Sequence, residues 1–487
     1  MSPMNYISAL IVAIPLVGAG VVAIRPRKLE HESGTVALWF SMITWVVSLP
    51  MLIGFDRSTS SYQYVYEWTW PIVGSAGFGV DGISILFVIL TTMLLPICIL
   101  SAWSVIKVMR REFFSLFLLM ESMILVVFMA MDLLLFYVSF EAVLIPMFLL
   151  VGVWGSRERK IRAANRFFLY TLFGSVWRLL ALLLIYFEAG TMDISVLMNT
   201  PFSESRQLLL WLAFFIAFAV KVPMLPFHIW LPEAHVESPT AGSVVLAALL
   251  LKFGLYAFVR MSLPLFPIGT YYFTPIVQVL ALLAVVYTSL TAMRQTDRKR
   301  IIAYSSVAHM NLGLLGVFSC TLVGLEGALF LGLSHGVVSG ALFLCVGVLY
   351  DRHHSRVVSY YGGLAQLMPI YVATFMVFTM ANIALPGTSS FVGELMILLG
   401  AFLENHAVAV IGASGMILGG GYSLWLLNRL AFGNLKNDVS SDMDRREFVM
   451  RRPLIILAIL GGIMPQPVLD ILHTSCSNIL EHCSLKV

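Results

Sequence analysis

Charge is what this 487-residue chain has least of: Asp, Glu, Lys and Arg make up 11% of it, against 59% hydrophobic residues. Soluble domains carry about 25% charged residues, so a water-facing globular protein is excluded, and no polar stretch is long enough to hold a separate soluble domain. Cysteine is also scarce. Cys98, Cys320, Cys345, Cys476 and Cys483 form no C-x-x-C pair and no His/Cys cluster of zinc or iron–sulfur spacing, so any redox chemistry is expected elsewhere. Cys476 and Cys483 could pair in an oxidising compartment, though nothing in their spacing demands it. No G-x-G-x-x-G follows a strand, which leaves no visible nucleotide fold. The first apolar run, residues 4–24, lacks a basic n-region and an A-x-A site and reads as a membrane span rather than a leader.

What is present is apolar sequence in windows of about 20 residues, long enough to cross a hydrocarbon core of about 30 Å. The pattern predicts an all-α polytopic membrane protein of about fourteen transmembrane helices. The spans that matter below are four (113–131), five (133–155), six (167–189), seven (208–230), eight (240–261), ten (301–319), eleven (325–350), twelve (370–402) and fourteen (453–473). Twenty-three of the 30 Lys and Arg fall in alternate joins on one face, from Arg25, Arg27 and Lys28 to Arg445, Arg446, Arg451 and Arg452. The other face has only Arg57, Arg206, Arg260 and Lys486. By the positive-inside rule both termini lie on the non-basic side. The net charge of +4 is thus a topology signal and says nothing about nucleic acid.

Against this background Glu141, Lys221, Lys252 and Glu394 stand out, because each falls deep inside a span. An ionised group in hydrocarbon costs at least about 2.5 to 3.5 kcal/mol, and such groups usually pair, bind ions or carry protons. Four suggest a conduction path. Two spans also break beside them: Lys221 is followed by Val222-Pro223-Met224-Leu225-Pro226, and Leu385-Pro386-Gly387-Thr388-Ser389-Ser390 precedes Glu394. Proline removes a backbone donor and clashes with the preceding turn, and freed backbone groups survive at that depth only against protein or a water-filled cavity. Either break alone reads equally as a packing kink. Together they suggest two inverted five-helix repeats, each with a discontinuous helix. The resulting division is 1–112, an N-terminal three-helix region; 113–262 and 263–430, the two half-channel repeats; and 431–487, the last join and helix.

Other features keep two readings. Gly332, Gly336 and Gly340, and Gly415 and Gly419, recur every four residues and read as close helix packing. His228, Glu233, His235 and Glu237 border the basic face near the first break, where they either line a route for proton uptake or sit in a solvated join. Glu121, in span four, either satisfies a neighbouring helix or moves protons. Glu141 and Lys221 could be a static ion pair, and Lys252 could snorkel were it nearer a span end. A lone histidine on an apolar face, such as His309 or His335, is more often a hydrogen-bonded core residue than a relay.

Five runs carry a family resemblance: LLLFYVSFEAVLIPMFLLVGVWGSR from Leu133, LPEAHVESPTAGSVVLAALLLKFG from Leu231, IIAYSSVAHMNLG from Ile301, LSHGVVSGALFLCVGVLYDRH from Leu333 and LPGTSSFVGELMIL from Leu385. They resemble the antiporter-like membrane-arm subunits of respiratory complex I, of the chain 4 type of NADH-ubiquinone oxidoreductase and most like its plant and algal mitochondrial form. The resemblance covers nearly the whole chain and is loosest before Gly79 and after Leu435. Chain 5 types are similar through the middle but continue into a long lateral helix, whereas this chain stops soon after span fourteen.

The resemblance implies that Glu141 and Lys221 form a gating pair, that Lys252 is the central lysine, that His309 and His335 are relay residues, and that Glu394 is the terminal glutamate. It also implies no cofactor in this chain, with NADH, FMN, iron–sulfur clusters and ubiquinone in partner subunits. The expected partners are other membrane-arm subunits and lipid, and the expected place is the mitochondrial inner membrane with both termini in the intermembrane space. A free-standing Mrp-type cation/proton antiporter subunit and a structural spacer of the membrane arm are the alternatives.

Arg178 departs from the family pattern, which has an apolar residue there in span six. An arginine stays protonated, with a pKa above about 12, so it cannot readily relay protons. It could pair with Glu121 or Glu141, or a non-standard codon reading or transcript-level change could make the real residue apolar.

Overall fold

The computed structural model describes residues 5–70, 74–436 and 441–486. In chain order the helices are α1 (Tyr6–Ile24), α2 (Ser33–Ile53), α3 (Ser84–Ala102), α4 (Arg110–Met129), α5 (Leu133–Ala142), α6 (Leu144–Trp154), α7 (Lys160–Ala189), α8 (Ile194–Asn199), α9 (Glu204–Lys221) and α10 (Trp230–Glu237). They continue as α11 (Thr240–Leu265), α12 (Pro267–Met293), α13 (Arg298–Val317), α14 (Leu322–His353), α15 (Pro369–Asn382), α16 (Ser389–Glu404), α17 (His406–Ala431), α18 (Arg445–Ile463) and α19 (Gln466–Lys486). Ten helices among the described residues are long and apolar enough to cross a membrane, or eleven if the bent pair α18 and α19 makes one span. Expected spans seven, ten and twelve coincide with α9, α13 and the α15–α16 pair, which are shorter or carry more charge.

Two departures from the sequence reading have local causes. The expected span 453–473 is two helices bent by 70°, because Pro465 between them cannot donate to the helix ladder. The join after α2 is not wholly irregular: β1 (Gln63–Trp70) pairs antiparallel with β2 (Gly74–Val80), from Gln63 opposite Val80 to Trp70 opposite Gly74. Both expected breaks are present. Helix α9 stops at Lys221, and helix resumes only at a single turn over Phe227–Ile229 that leads into α10. Likewise α15 ends at Asn382 and α16 begins at Ser389, with Gly387 between them at a φ of 92° that favours glycine.

The chain folds as two compact units. The first comprises Met1–Lys221, Tyr256–Phe273 and Asp470–Val487. Its core is aromatic around α4: Phe87 and Phe128 stack at 5.2 Å, and the Tyr256 hydroxyl donates to the Phe128 carbonyl at 3.0 Å. Arg260, expected on the non-basic face, is instead buried in an ion pair with Asp81. Asp81 also accepts from the Ser84 amide at 3.0 Å where α3 begins. No disulfide joins Cys476 and Cys483 among the described residues, and the Cys483 thiol donates to the Leu263 carbonyl.

The second unit comprises Val222–Leu255 and Thr274–Leu469. Here α14 and α16 pack at backbone distance. A Cβ on Gly393 would lie 2.9 Å from the Leu331 backbone, and one on Gly327 would lie 2.9 Å from the Ile397 amide nitrogen. Glycine at these positions lets α16 press its buried face, including Glu394, against α14. Gly415 likewise leaves no room for a Cβ beside Val285, in keeping with the packing role expected of that glycine series.

Candidate proton-relay site

In the first unit the carboxylate of interest sits where α5 meets α6, within the continuous span Leu133–Trp154. Asp132 starts α5 by accepting from the Leu134 and Leu135 amides at 2.8 and 2.9 Å, which satisfies donors a helix start leaves orphaned. Nine residues on, Glu141 reaches across to α7, where Arg178 Nη2 donates to its Oε1 at 2.8 Å. Arg178 is 1% exposed. Its guanidinium lies 4.1 Å from the Phe140 ring centroid, 4.8 Å from that of Tyr137 and 5.6 Å from that of Phe136, so ring quadrupoles take the place of water around the cation.

Lys221 ends α9 nearby and is 3% exposed. Its ammonium is 4.7 Å from the same Phe140 centroid. Among the described residues no ion pair joins Lys221 to Glu141; the carboxylate's charge partner is Arg178. Glu121 is fully buried on α4, and neither of its oxygens has a hydrogen-bond partner among the described residues.

The second unit holds the other four residues singled out in the sequence. Lys252 lies in α11 between two π-turns, Leu246–Leu250 and Phe258–Ser262, a helix form common at functional sites. The lysine is fully buried. Its ammonium bonds to the Ala247 carbonyl and to His335 Nδ1, the latter at 2.8 Å. The His335 and His309 rings are 5.7 Å apart between centroids, and His309 Nδ1 lies 2.9 Å from Glu394 Oε1. Lys252, His335, His309 and Glu394, from α11, α14, α13 and α16, therefore form one line of titratable side chains. At its far end His309 and Glu394 line a small pocket, together with Asn382, Tyr422, Gly415 and Gly419.

Sequence reasoning missed a further group, because a lysine in a join reads as solvated. Lys299 is 1% exposed. Its amide is bound by the Asp297 side chain at the start of α13, and its ammonium donates to the Ser238 carbonyl at 2.8 Å and to Ser243 Oγ at 3.1 Å. Arg298 is buried too, 4.0 Å from the Tyr361 ring centroid and donating to the Ser355 carbonyl. The solvated-join reading also fails for His228, His235 and Glu237 near the first break, while Glu233 is half-buried. His235 and Glu237 are buried, His235 stacks on Phe343 at 4.7 Å, and neither ring nitrogen of His235 has a partner among the described residues. The sequence signal that was available is the pair Ser238 and Ser243, which flank the start of α11 and offer oxygens to a buried cation.

The transmembrane family described as NADH:quinone oxidoreductase/Mrp antiporter matches residues 130–419, which contain every residue of both clusters. NADH-ubiquinone oxidoreductase chain 4 of Marchantia polymorpha is 52% identical over 97% of this chain and 96% of its own length. The Arabidopsis thaliana chain 4 is 53% identical with the same coverage. A chain of the respiratory complex I from Thermus thermophilus superposes with a TM-score of 0.87 at 30% identity, covering 97% of this chain and 99% of that one. A chain of the Mrp complex from Dietzia shares the fold, with a TM-score of 0.87, at 21% identity and over 99% of this chain. With more than half of its length matched and an identity near one half along nearly all of it, the chain belongs to the NADH:quinone oxidoreductase/Mrp antiporter family of membrane subunits.

Proposed function

We propose that this chain is the antiporter-like, proton-translocating chain 4 subunit of a mitochondrial complex I, crossing the inner membrane fourteen times with both termini in the intermembrane space. NADH, FMN, iron–sulfur clusters and ubiquinone belong to partner subunits. Its neighbours are other membrane-arm chains, and its two five-helix repeats run over 113–262 and 263–430. The observation that carries the reading is the buried line from Lys252 through His335 and His309 to Glu394, in a chain whose relatives are named as NADH-ubiquinone oxidoreductase subunits.

Chemically, Lys252 hands a proton from Nζ to His335 Nδ1, His309 takes it up through water in the gap between the rings, and Glu394 receives it at the cavity. Histidine suits the intermediate steps because its charge changes near neutral pH. In the other cluster Glu141 and Lys221 set when a proton is admitted, since a close opposite charge favours the protonated amine.

The test is purification from native inner membranes. The chain should co-migrate on native gels with NADH-oxidising activity, and proton uptake by the purified complex in sealed vesicles should not depend on sodium. The Mrp-like fold supplies the rival outcome: migration as an isolated species, with sodium-dependent transport, would overturn the complex I assignment.

A further inference from the structure

Glu141 is held by a cation that cannot give up its proton. Arg178 Nη2 binds Oε1 at 2.8 Å, while Oε2 is buried without a hydrogen-bond partner among the described residues. The Arg178 guanidinium and the Lys221 ammonium both rest on the Phe140 ring, at 4.1 and 4.7 Å from its centroid. The remaining guanidinium nitrogens Nε and Nη1 also lack hydrogen-bond partners among the described residues, so Glu141 and the rings of Phe136, Tyr137, Phe140 and Phe218 are what hold the charge. Helix α7 reaches this depth because Gly174 lets it close on α9, where a Cβ would lie 3.1 Å from Ala217 Cα.

We propose that Arg178 is a positioning residue of the proton site, anchoring Glu141 through Oε1 and leaving Oε2 for Lys221, so that two cations share one anion. The inference rests on the reading of Glu141 and Lys221 as proton-handling groups. Its consequence is a charge count. With Lys221 protonated the cluster is +1, and when the ammonium gives its proton to water or to the next carrier the cluster becomes neutral. A bare Glu141–Lys221 pair would run the other way, from neutral to −1. Arg178 therefore biases the site toward release in a medium that penalises net charge.

The experiment uses the assembled complex in sealed vesicles, reading protons pumped per electron beside quinone-reductase turnover. Arg178→Met should lower the ratio while turnover continues, because Glu141 then holds the Lys221 proton. Glu141→Gln should lower it through two uncompensated cations. The double variant Glu141→Gln/Arg178→Met should pump at least about twofold better than the worse single variant, the non-additivity expected of charges in one network. Arg178→Lys should restore most of the ratio lost in Arg178→Met.

A double variant no better than the worse single one, or a normal ratio in Arg178→Met, overturns the proposal. If Arg178→Met does not assemble, the double variant decides, since it is neutral at both positions. Normal pumping in both Glu141→Gln and Lys221→Met would instead sink the underlying reading of the site. Peptide mass spectrometry of the native subunit should find a tryptic end at Arg178, and an apolar residue there also overturns the proposal.

Discussion

The two units solve the same problem, a charge buried in an apolar setting, by different chemistry. In the first, the cation against Glu141 is an arginine caged by aromatic rings. In the second, Lys252 is bonded to a histidine, and Glu394 lies against another. An arginine fixes charge and geometry, whereas every member of the second cluster can gain or lose a proton within the chemistry of water. On the function proposed above, the difference separates two jobs: the first cluster sets a charge balance and the second carries protons.

Removing the carrier gives the sharpest break in that comparison. Lys252→Met should abolish pumping through this subunit while the complex stays assembled, because the fully buried amine bonded to His335 is the head of its line. Lys252→Arg should also fail, since guanidinium holds its proton. The charge-preserving variant decides the matter. A complex carrying it that pumps at the normal ratio makes Lys252 a fixed charge like Arg178, and the contrast between the units collapses.

A smaller effect is expected at the other end of the line. Glu394→Gln keeps the shape beside His309 and the packing against α14 but removes the proton acceptor, so pumping should slow without stopping if cavity water can reach His309. General acid–base steps of this kind contribute about 10²- to 10⁴-fold where no bypass exists. Proton uptake measured against turnover gives the answer, and a ratio equal to the parent's would remove Glu394 from the path.

Much of this was legible in the chain. A charge inside an apolar run costs too much to be idle, so Glu141, Lys221, Lys252 and Glu394 declared themselves, and Pro223 and Pro386 marked the breaks because proline cannot complete the ladder. Partner choice was only half legible: the chain offered Arg178 either Glu121 or Glu141, and the structure pairs it with Glu141. Arg178 stands 37 positions from Glu141 in sequence, and only the packing of α7 against α9 and the three aromatic residues of α5 at 136, 137 and 140 bring them together. Counting charges per join assigned Arg298 and Lys299 to a basic face but could not tell that they turn inward, since that depends on where carbonyls such as those of Ser355 and Ser238 point. Hairpin β1–β2 and the π-turns around Lys252 have no sequence signature of comparable strength.

The least effect is expected at the scaffold of the first cluster. Helix α5 runs into α6 as one span, Leu133–Trp154, and its start depends on Asp132 accepting from the Leu134 and Leu135 amides. Asp132→Ala removes that cap at a cost of about 1 kcal/mol. The loss should appear as faster hydrogen exchange at those two amides and a modest fall in pumping ratio, because a frayed α5 carries Phe140 and Glu141 less firmly. Asp132→Asn keeps a capping oxygen and should restore both. Lys252 lies in the other unit, so exchange around it should be unchanged; a parallel increase there would mean that the cap supports the whole fold and not the Glu141 site in particular.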